Sequence, residues 1–241
     1  MYLSVKNLLL NLGAKVCTLD PALFWLRDGK AEGVVCIHVD DFLWAGTPEF
    51  KRQVIDQLRE TFTIGSSETK AFKYVGINVV SNKNGSIALD QFQYAMTLKP
   101  IPVSRQRAAV KSAELSDSEK SEYRAMIGQL SWIATHTRPD ISFDTCELSG
   151  LRCNATVSDL MRLLKVIERV KTDNVKLYMP RMRNLEECHL ECFSDASFAN
   201  LKGNGSQGGF VIFLRDNDME RCPVFWQTRK IRRCGQVHPI S

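Results

Sequence analysis

The sequence His38-Val39-Asp40-Asp41 lies between two apolar runs, an arrangement typical of the turn of a β-hairpin. The runs are Val34-Val35-Cys36-Ile37 and Phe42-Leu43-Trp44-Ala45-Gly46. Aspartate favours turns because its short side chain can bond to the nearby backbone. Since strand side chains alternate with a period of two, we expect Val35 and Ile37 to be buried and Asp40 and Asp41 to be exposed at the tip.

Two adjacent carboxylates at one tip allow two interpretations. Hard cations such as Mg²⁺ take carboxylate oxygens, and paired carboxylates that hold metal ions can stabilise the attacking and leaving oxygens in phosphoryl transfer. Asp-Asp pairs are also common in turns as plain solvated residues. The four residues alone leave both interpretations open, so the rest of the sequence has to decide between them.

Length and composition predict a folded protein with one large domain or two small ones. The 241 residues are 44% hydrophobic and 24% charged, which supports a core and excludes a disordered composition. The formal net charge of +5 is compatible with a phosphate-backbone partner, but ordinary surface charge explains it nearly as well.

The cysteine pattern and the hydropathy predict an intracellular protein, cytoplasmic or nuclear. The eight cysteines include no CxxC pair, which a reducing compartment explains most simply. No apolar run approaches the roughly 18 residues needed to span a bilayer, so no membrane association is expected. The first residues lack the basic leader and the cleavage site of a signal peptide.

Apolar periodicity predicts the elements around the hairpin. A first helix is expected to end at Gly13, and Thr47-Pro48-Glu49 is a helix-start signal. Phe72–Val80 is expected to form one strand, and Asn84-Gly85 a hairpin turn. The apolar faces of the two helices are predicted at Val5, Leu8, Leu9 and Leu12, and at Phe50, Val54 and Leu58.

The second half of the chain is predicted to be helical and then rich in strands. Residues 99–117 are polar and basic, so they are expected to form a linker. Ser116 and Glu119 make a capping box at the start of the next helix. This order of elements predicts an α+β fold. The expected strands are His189–Ala196, Gly208–Leu214 and Pro223–Gln227, and the expected apolar helix positions are Tyr123, Met126, Ile127, Leu130, Ile133, Leu160, Leu163, Leu164 and Ile167.

Six short motifs in order make the chain resemble the copia-type retrotransposon polyprotein, from its reverse transcriptase into the start of its ribonuclease H. The residues 38–41 resemble the family's YVDD box. Tyr74-Val75-Gly76-Ile77 is similar to the FLGI segment that grips the primer strand. The other motifs are Asp90-Gln91 with Tyr94, Tyr123-Arg124 with Gly128 and Leu130, Thr137-Arg138-Pro139-Asp140-Ile141, and Ser194-Asp195-Ala196, which is similar to the first catalytic strand of the ribonuclease H.

The resemblance implies an α+β fold in four parts. Residues 1–98 would be a partial palm of antiparallel hairpins and helices, and residues 99–117 a basic linker. Residues 118–180 would be a helical thumb or connection, and residues 186–241 the first part of a ribonuclease H-like sheet.

The resemblance also implies template-directed nucleotide addition by an RNA-directed DNA polymerase. The implied cofactor is Mg²⁺, and the implied partners are an RNA or DNA template–primer and deoxynucleoside triphosphates. The implied catalytic and metal-binding residues are Asp40, Asp41 and Asp195. The implied nucleic-acid contacts are His38, Tyr74, Gly76 and Gln91.

Three departures from the family pattern affect the expected activity. The fingers and an Asp-bearing palm strand are expected upstream of Met1, because Asp20 and Asp28 do not match that strand. His38 stands where the family usually has tyrosine. Residues 234–239 do not match the expected ribonuclease H helix, and Pro239 disfavours a helix there. The chain is therefore expected to be inactive alone, with an uncovered sheet face that includes Phe213 and Phe225.

Two alternatives to a polymerase fragment remain at this point. A non-catalytic nucleic-acid-binding remnant would contact phosphates through the basic residues of the linker, and an expressed remnant would have no function at all. Association with an intact copy of the polymerase would be a further partner interaction. The basic residues in question are Lys99, Arg105, Arg107 and Lys111.

Overall fold

The computed structural model describes residues 2–151, 153–183, 185–201 and 205–231. The fold is α+β with antiparallel sheets, as predicted from the sequence. The chain divides into two compact units, Met1–Val75 and Gly76–Ser241. No helix within the described residues is long and apolar enough to cross a membrane.

The first unit is a four-stranded antiparallel sheet with helices on its apolar face. Its first elements are α1 (Tyr2–Asn11), β1 (Lys15–Val16), β2 (Leu23–Asp28), β3 (Ala31–His38) and β4 (Asp41–Gly46), and the strands lie in chain order. The predicted helix end at Gly13 is confirmed, since this glycine has φ +89° and its amide bonds back to Leu10. The buried core of the unit includes Val5, Leu9, Phe24, Leu26, Val35, Ile37, Phe50, Val54 and Leu58.

A helical segment follows the hairpin and packs onto its base. It consists of α2 (Pro48–Phe50), a π-helical turn (Lys51–Ile55) and α3 (Asp56–Thr61). The predicted cap is confirmed, because the hydroxyl of Thr47 accepts a hydrogen bond from the Phe50 amide at 3.2 Å. The same hydroxyl accepts one from the Glu32 amide and donates one to the Lys30 carbonyl. One side chain therefore ties the start of this helical segment to β3.

The packing at the base of the hairpin requires two glycines. Gly33 and Gly46 face each other across β3 and β4, and the ring of Phe50 lies directly over them. A Cβ atom on Gly46 would come within 2.6 Å of Phe50 Cδ1, and the same ring would block a Cβ atom on Gly33. The helical segment can approach the strands this closely because neither position carries a side chain.

The single strand predicted over Phe72–Val80 was wrong. Two strands, β5 (Ala71–Tyr74) and β6 (Ile77–Ser81), are separated by a turn at Val75 and Gly76. Both turn residues have left-handed backbone conformations, with φ +49° and +77°. Glycine adopts such a conformation without a steric penalty, whereas a β-branched residue such as valine rarely does.

The second unit combines a small sheet, a helical core and a C-terminal sheet. In the small sheet, β7 (Ile87–Asp90) pairs antiparallel with β6 and with β8 (Leu177–Met179). The helices are α4 (Phe92–Thr97), α5 (Arg105–Ala109), α6 (Asp117–His136), α7 (Ser142–Gly150) and α8 (Val157–Thr172). The predicted apolar positions of α6 and α8 lie in or against one core, which confirms their periodicity.

Residues 99–117 contain α5 and pack against the helices that follow. Ile101 and Leu115 are buried in the helical core. Arg107 forms a two-pronged ion pair with Glu119, at 2.9 Å from Nε and 2.6 Å from Nη2. Glu119 also completes the predicted capping box, since its carboxylate accepts from the Ser116 amide and its own amide donates to the Ser116 hydroxyl.

The three strands predicted near the C-terminus are confirmed. They are β9 (His189–Leu201), β10 (Gly205–Arg215) and β11 (Arg221–Ile231), antiparallel with β10 in the centre. The divergent residues 234–239 lie outside the described part of the chain. The Trp226 indole attaches this sheet to α6 by donating to the Ala134 carbonyl at 2.8 Å.

The expectation that Phe213 and Phe225 share one sheet face was wrong. Phe225 is paired with Ile212, which precedes Phe213 in β10, so alternation places Phe213 on the opposite face. The ring of Phe213 contacts Phe193, whereas the ring of Phe225 contacts Phe210. Phe193 and Phe225 are each about half exposed, so both faces of the sheet present aromatic surface.

The capping box of α6 predicts an acid-sensitive contribution to stability. Hydrogen bonds from Arg107 and from the Ser116 backbone lower the pKa of Glu119 from its usual value of 4.5 to about 2. Since the pKa is lower in the folded state, this contribution is present above about pH 4.5 and is lost as the pH falls towards 2. We expect Glu119→Gln to lower the free energy of unfolding near neutral pH, because it removes the charge that these hydrogen bonds stabilise. The loss should be only about 1–2 kcal/mol, since water screens this partly exposed pair.

Denaturant unfolding of the wild type and of Glu119→Gln at several pH values measures this effect. The difference between the two should shrink as the pH falls from about 4.5 to 2. Glu122→Gln, on the exposed side of the same helix, is the matched control and should show little effect. A difference that is constant over this range would contradict the assignment.

Candidate functional site

The tip of the β3–β4 hairpin is a two-residue turn under backbone strain. His38 pairs with Asp41, which leaves Val39 and Asp40 as the turn residues. Val39 has φ +56° and its side chain is 74% exposed. Tight hairpin turns need a positive φ at the first turn position, and a non-glycine residue there costs about 1–3 kcal/mol. Because Val39 is so exposed, burial of its side chain offsets little of that cost.

The two carboxylates are exposed at the strained turn, as the sequence predicted. Asp40 and Asp41 are exposed at the tip, while Val35 and Ile37 are 0% and 5% exposed. The pairing between Gly33–Gly46 and His38–Asp41 is continuous, without a bulge. The hairpin therefore presents two adjacent acidic side chains to solvent at the end of a continuously paired ladder.

Tyr74 lies beside the tip, within the same unit. Its ring meets the His38 ring edge-on, with centroids 6.4 Å apart. Burial raises the pKa of the Tyr74 hydroxyl, and a hydrogen bond with Cys36 and the negative charges of Asp41 and Asp20 add to this rise. The phenol consequently stays neutral, and the carboxylates of Asp41 and Asp20 lie close enough to affect its pKa.

Cys36 and Asp20 lie near Tyr74, although neither was predicted to be a site residue. Cys36 lies two residues before His38 on the same strand, so both project to the same face of β3. This alternation was visible in the sequence and could have identified Cys36. Asp20 lies in the turn before β2 and accepts a hydrogen bond from the Ala22 amide at 2.9 Å. Its distance from the tip depends on how the strands pair, so no signal in the sequence identified it.

Gly76 owes its place in the turn to backbone conformation. It has φ +77°, and an added Cβ atom would find only the Trp132 indole nitrogen, at 3.9 Å. Steric crowding therefore does not require glycine there, whereas the left-handed backbone does.

Gln91 is buried, in contrast to the residues of the tip. Its side chain is 3% exposed, and its Oε1 accepts a hydrogen bond from the Thr137 hydroxyl at 3.0 Å. Burial of this kind favours a structural role for Gln91, because an inaccessible amide has no surface to offer a nucleic acid.

Asp195 is exposed on β9, opposite Gly209 of β10. Its Oδ1 accepts a hydrogen bond from the amide of Ala196 at 2.8 Å. Glu191, on the same face of the strand, forms ion pairs with Arg215 at 3.3 Å and Arg221 at 2.5 Å. Asp195 is four residues further along this strand, about 13 Å away, so it stands apart from these ion pairs.

The donor chemistry of the tip fits a hard divalent cation. Carboxylate oxygens are the ligands that Mg²⁺ takes, and it is often held by one or two carboxylates together with waters and substrate phosphates. Within the described ranges, no group of three or more His, Cys, Asp or Glu side chains could enclose a metal ion. Asp40 and Asp41 would therefore supply part of a coordination shell.

Comparison with known proteins relates the chain to transposons. No protein-family model matches it. It is 26% identical to the retrovirus-related Pol polyprotein from transposon RE1 of Arabidopsis thaliana, in an alignment 245 positions long that covers 95% of this chain and 16% of the polyprotein. It is 24% identical to the transposon Ty5-1 protein YCL074W of Saccharomyces cerevisiae, over 82% of this chain and 66% of that protein. These similarities support a retrotransposon-derived protein.

The left-handed backbone at Gly76 predicts that a larger residue there destabilises the fold. Gly76→Ala should lower the free energy of unfolding by about 1 kcal/mol or more, because alanine is strained at this φ. Gly128→Ala is the matched control. Gly128 lies within α6 with open space around its Cα, so alanine should stabilise the helix there by about 1 kcal/mol. Chemical denaturation measures both, and effects of the same sign would contradict the assignment.

Proposed function

We propose that this chain is the part of a retrotransposon RNA-directed DNA polymerase that carries the metal-binding turn of the palm. The observation that carries the proposal is the exposure of Asp40 and Asp41 at a strained two-residue turn. The similarity to the Pol polyprotein of transposon RE1 supports it. The chain spans 16% of that polyprotein, so polymerase activity is a proposal about the protein to which this part corresponds.

Asp40 and Asp41 are the residues that would hold Mg²⁺. The ion would neutralise charge on the phosphate groups in nucleotide addition. The role of the chain is to keep two carboxylates in one place before the ion arrives, because the continuous hairpin ladder limits their movement. Val39 contributes by its backbone, since the left-handed turn brings His38 and Asp41 opposite each other.

His38 and Tyr74 are the proposed contacts to the primer end. The His38 side chain is exposed and Tyr74 supports it from the side, with the phenol held at Cys36. The two aromatic rings next to the carboxylates offer a surface on which a sugar or a base can pack. Gly76 is proposed as a separate nucleic-acid contact, made through its backbone.

Asp195 is proposed as a second, separate metal ligand of a ribonuclease H-like sheet. The side chain is exposed, and the residue opposite it on β10 is Gly209. A single carboxylate would need further ligands to hold an ion firmly.

Binding of Mn²⁺, as a paramagnetic substitute for Mg²⁺, tests the site at the tip. Asp40→Asn and Asp41→Asn should each weaken binding at least about tenfold, or about 1.4 kcal/mol, because each removes a charged ligand. Asp28→Asn is the control. It changes an exposed aspartate at the end of β2, beside the turn at Gly29 and opposite the start of β3, and should leave the affinity unchanged. Electron paramagnetic resonance of free Mn²⁺ gives the bound fraction.

Equal affinity in the wild type and in Asp40→Asn would overturn the metal site. Equal losses in all three variants would show that Mn²⁺ responds to general surface charge. In either case the tip would be a solvated turn without a role in metal binding.

A second candidate function is nucleic-acid binding through the basic segment. Lys99, Arg105 and Lys111 are exposed, whereas Arg107 is held by Glu119 and the Glu114 carbonyl. The three exposed cations are available to phosphates, and their contribution would depend on salt. This function does not need the carboxylates of the tip.

Salt titration of template–primer binding separates the two functions. Replacing Lys99, Arg105 and Lys111 by glutamine should reduce the slope of log affinity against log salt by about 2–3, since each phosphate contact contributes about 0.9. Asp40→Asn should not reduce this slope. An unchanged slope in the triple variant would exclude the basic segment as the binding surface.

A further inference from the structure

Two motifs that the proposed chemistry does not use meet inside the second unit. Gln91 lies between β7 and α4, and Thr137 and Arg138 follow the end of α6. All three are nearly inaccessible, with 3%, 1% and 4% of their surfaces exposed. Polar groups buried to this degree are almost always hydrogen-bonded, so each of their donors and acceptors needs a partner.

Most of these groups have partners. The Thr137 hydroxyl donates to Gln91 Oε1 at 3.0 Å. The guanidinium of Arg138 donates to both carboxylate oxygens of Asp140, at 2.8 and 2.9 Å, and to the Asp173 carbonyl at 2.8 Å. These bonds link the end of α6 to the end of α8.

The side-chain nitrogen of Gln91 is the exception. Among the described residues, no group accepts a hydrogen bond from Gln91 Nε2, although that atom is buried. Exchanging the oxygen and nitrogen of the amide does not remove the problem. A hydroxyl can donate or accept, so Thr137 would satisfy whichever atom faced it and the other would still lack a partner.

A small cavity lies beside this amide. Its polar lining is Gln91, Arg138 and Asp173, and its apolar lining is Phe92, Ala95, Ile133, Val170 and Val175. It leaves about 10 Å³ in which the centre of a water molecule can lie. A buried water needs two to four polar partners and roughly this much room, whereas organic ligands or hydrated ions need more.

We infer that this cavity is a binding site for one ordered water molecule. The water accepts a hydrogen bond from Gln91 Nε2 and donates to an oxygen of Asp173. It thereby completes the hydrogen bonding of the residues that join the start of α4 to the ends of α6 and α8. The inference is independent of the proposed function, since neither Asp40 nor any nucleic acid takes part.

High-resolution crystal structures of the full chain test the inference with two matched variants. The wild type should show a water within hydrogen-bonding distance of the Gln91 amide. Gln91→Met preserves the length of the side chain but removes the amide, and should lose that water. Thr137→Val removes the bond to Oε1 but keeps the Nε2 donor, and should retain it.

The wild type can also be tested in solution. A nuclear Overhauser effect between water and the side-chain amide protons of Gln91 should be present, and this measurement does not depend on the folding of a variant. An empty cavity in the wild type without such an effect would overturn the inference. A water that persists unchanged in Gln91→Met would overturn it as well, because the amide would then not be what holds it.

Discussion

The close approach of Phe50 to Gly33 and Gly46 determines where the hairpin can present its carboxylates. The two glycines face each other at the base of the hairpin, and Thr47 begins the helical segment directly after Gly46. From that base the ladder runs without a bulge to His38 and Asp41. The position of the tip is thus set about five residue pairs away, by a ring that tolerates no Cβ atom beneath it.

Most of the helices and strands could be predicted from the sequence, because capping residues, turn residues and apolar periodicity independently indicated the same elements. The cap at Thr47, the capping box at Ser116 and the three C-terminal strands all form as expected. The turn at Val75 was missed because valine normally marks a strand, and only the following glycine indicated a break. Phe213 and Phe225 were placed on one face because the pairing register between β10 and β11 cannot be read from one strand at a time.

The candidate site was likewise predictable only where local sequence determines the structure. Asp40 and Asp41 could be located from sequence, since the turn preference of aspartate and the alternation of the flanking strands both predict exposed side chains at that position. The contact of Tyr74 with Cys36 and His38 could not, because it joins segments more than 30 residues apart through tertiary packing. The burial of Gln91 was likewise unpredictable, as its partner Thr137 lies 46 residues further along the chain.

The distribution of strain and stability separates the tip from the rest of the chain. Val39 and Val75 hold left-handed conformations in tight turns, and strain of this kind persists only where the surrounding structure leaves the backbone no alternative. For Val39, the paired strands and the packed base provide that constraint, since its exposed side chain gains little from burial. The folding energy comes from the cores, where large side chains such as Phe24, Phe50 and Tyr123 are fully buried. An exposed and locally unfavourable turn that bears two carboxylates is therefore supported by the remainder of its unit and contributes little to the stability of that unit.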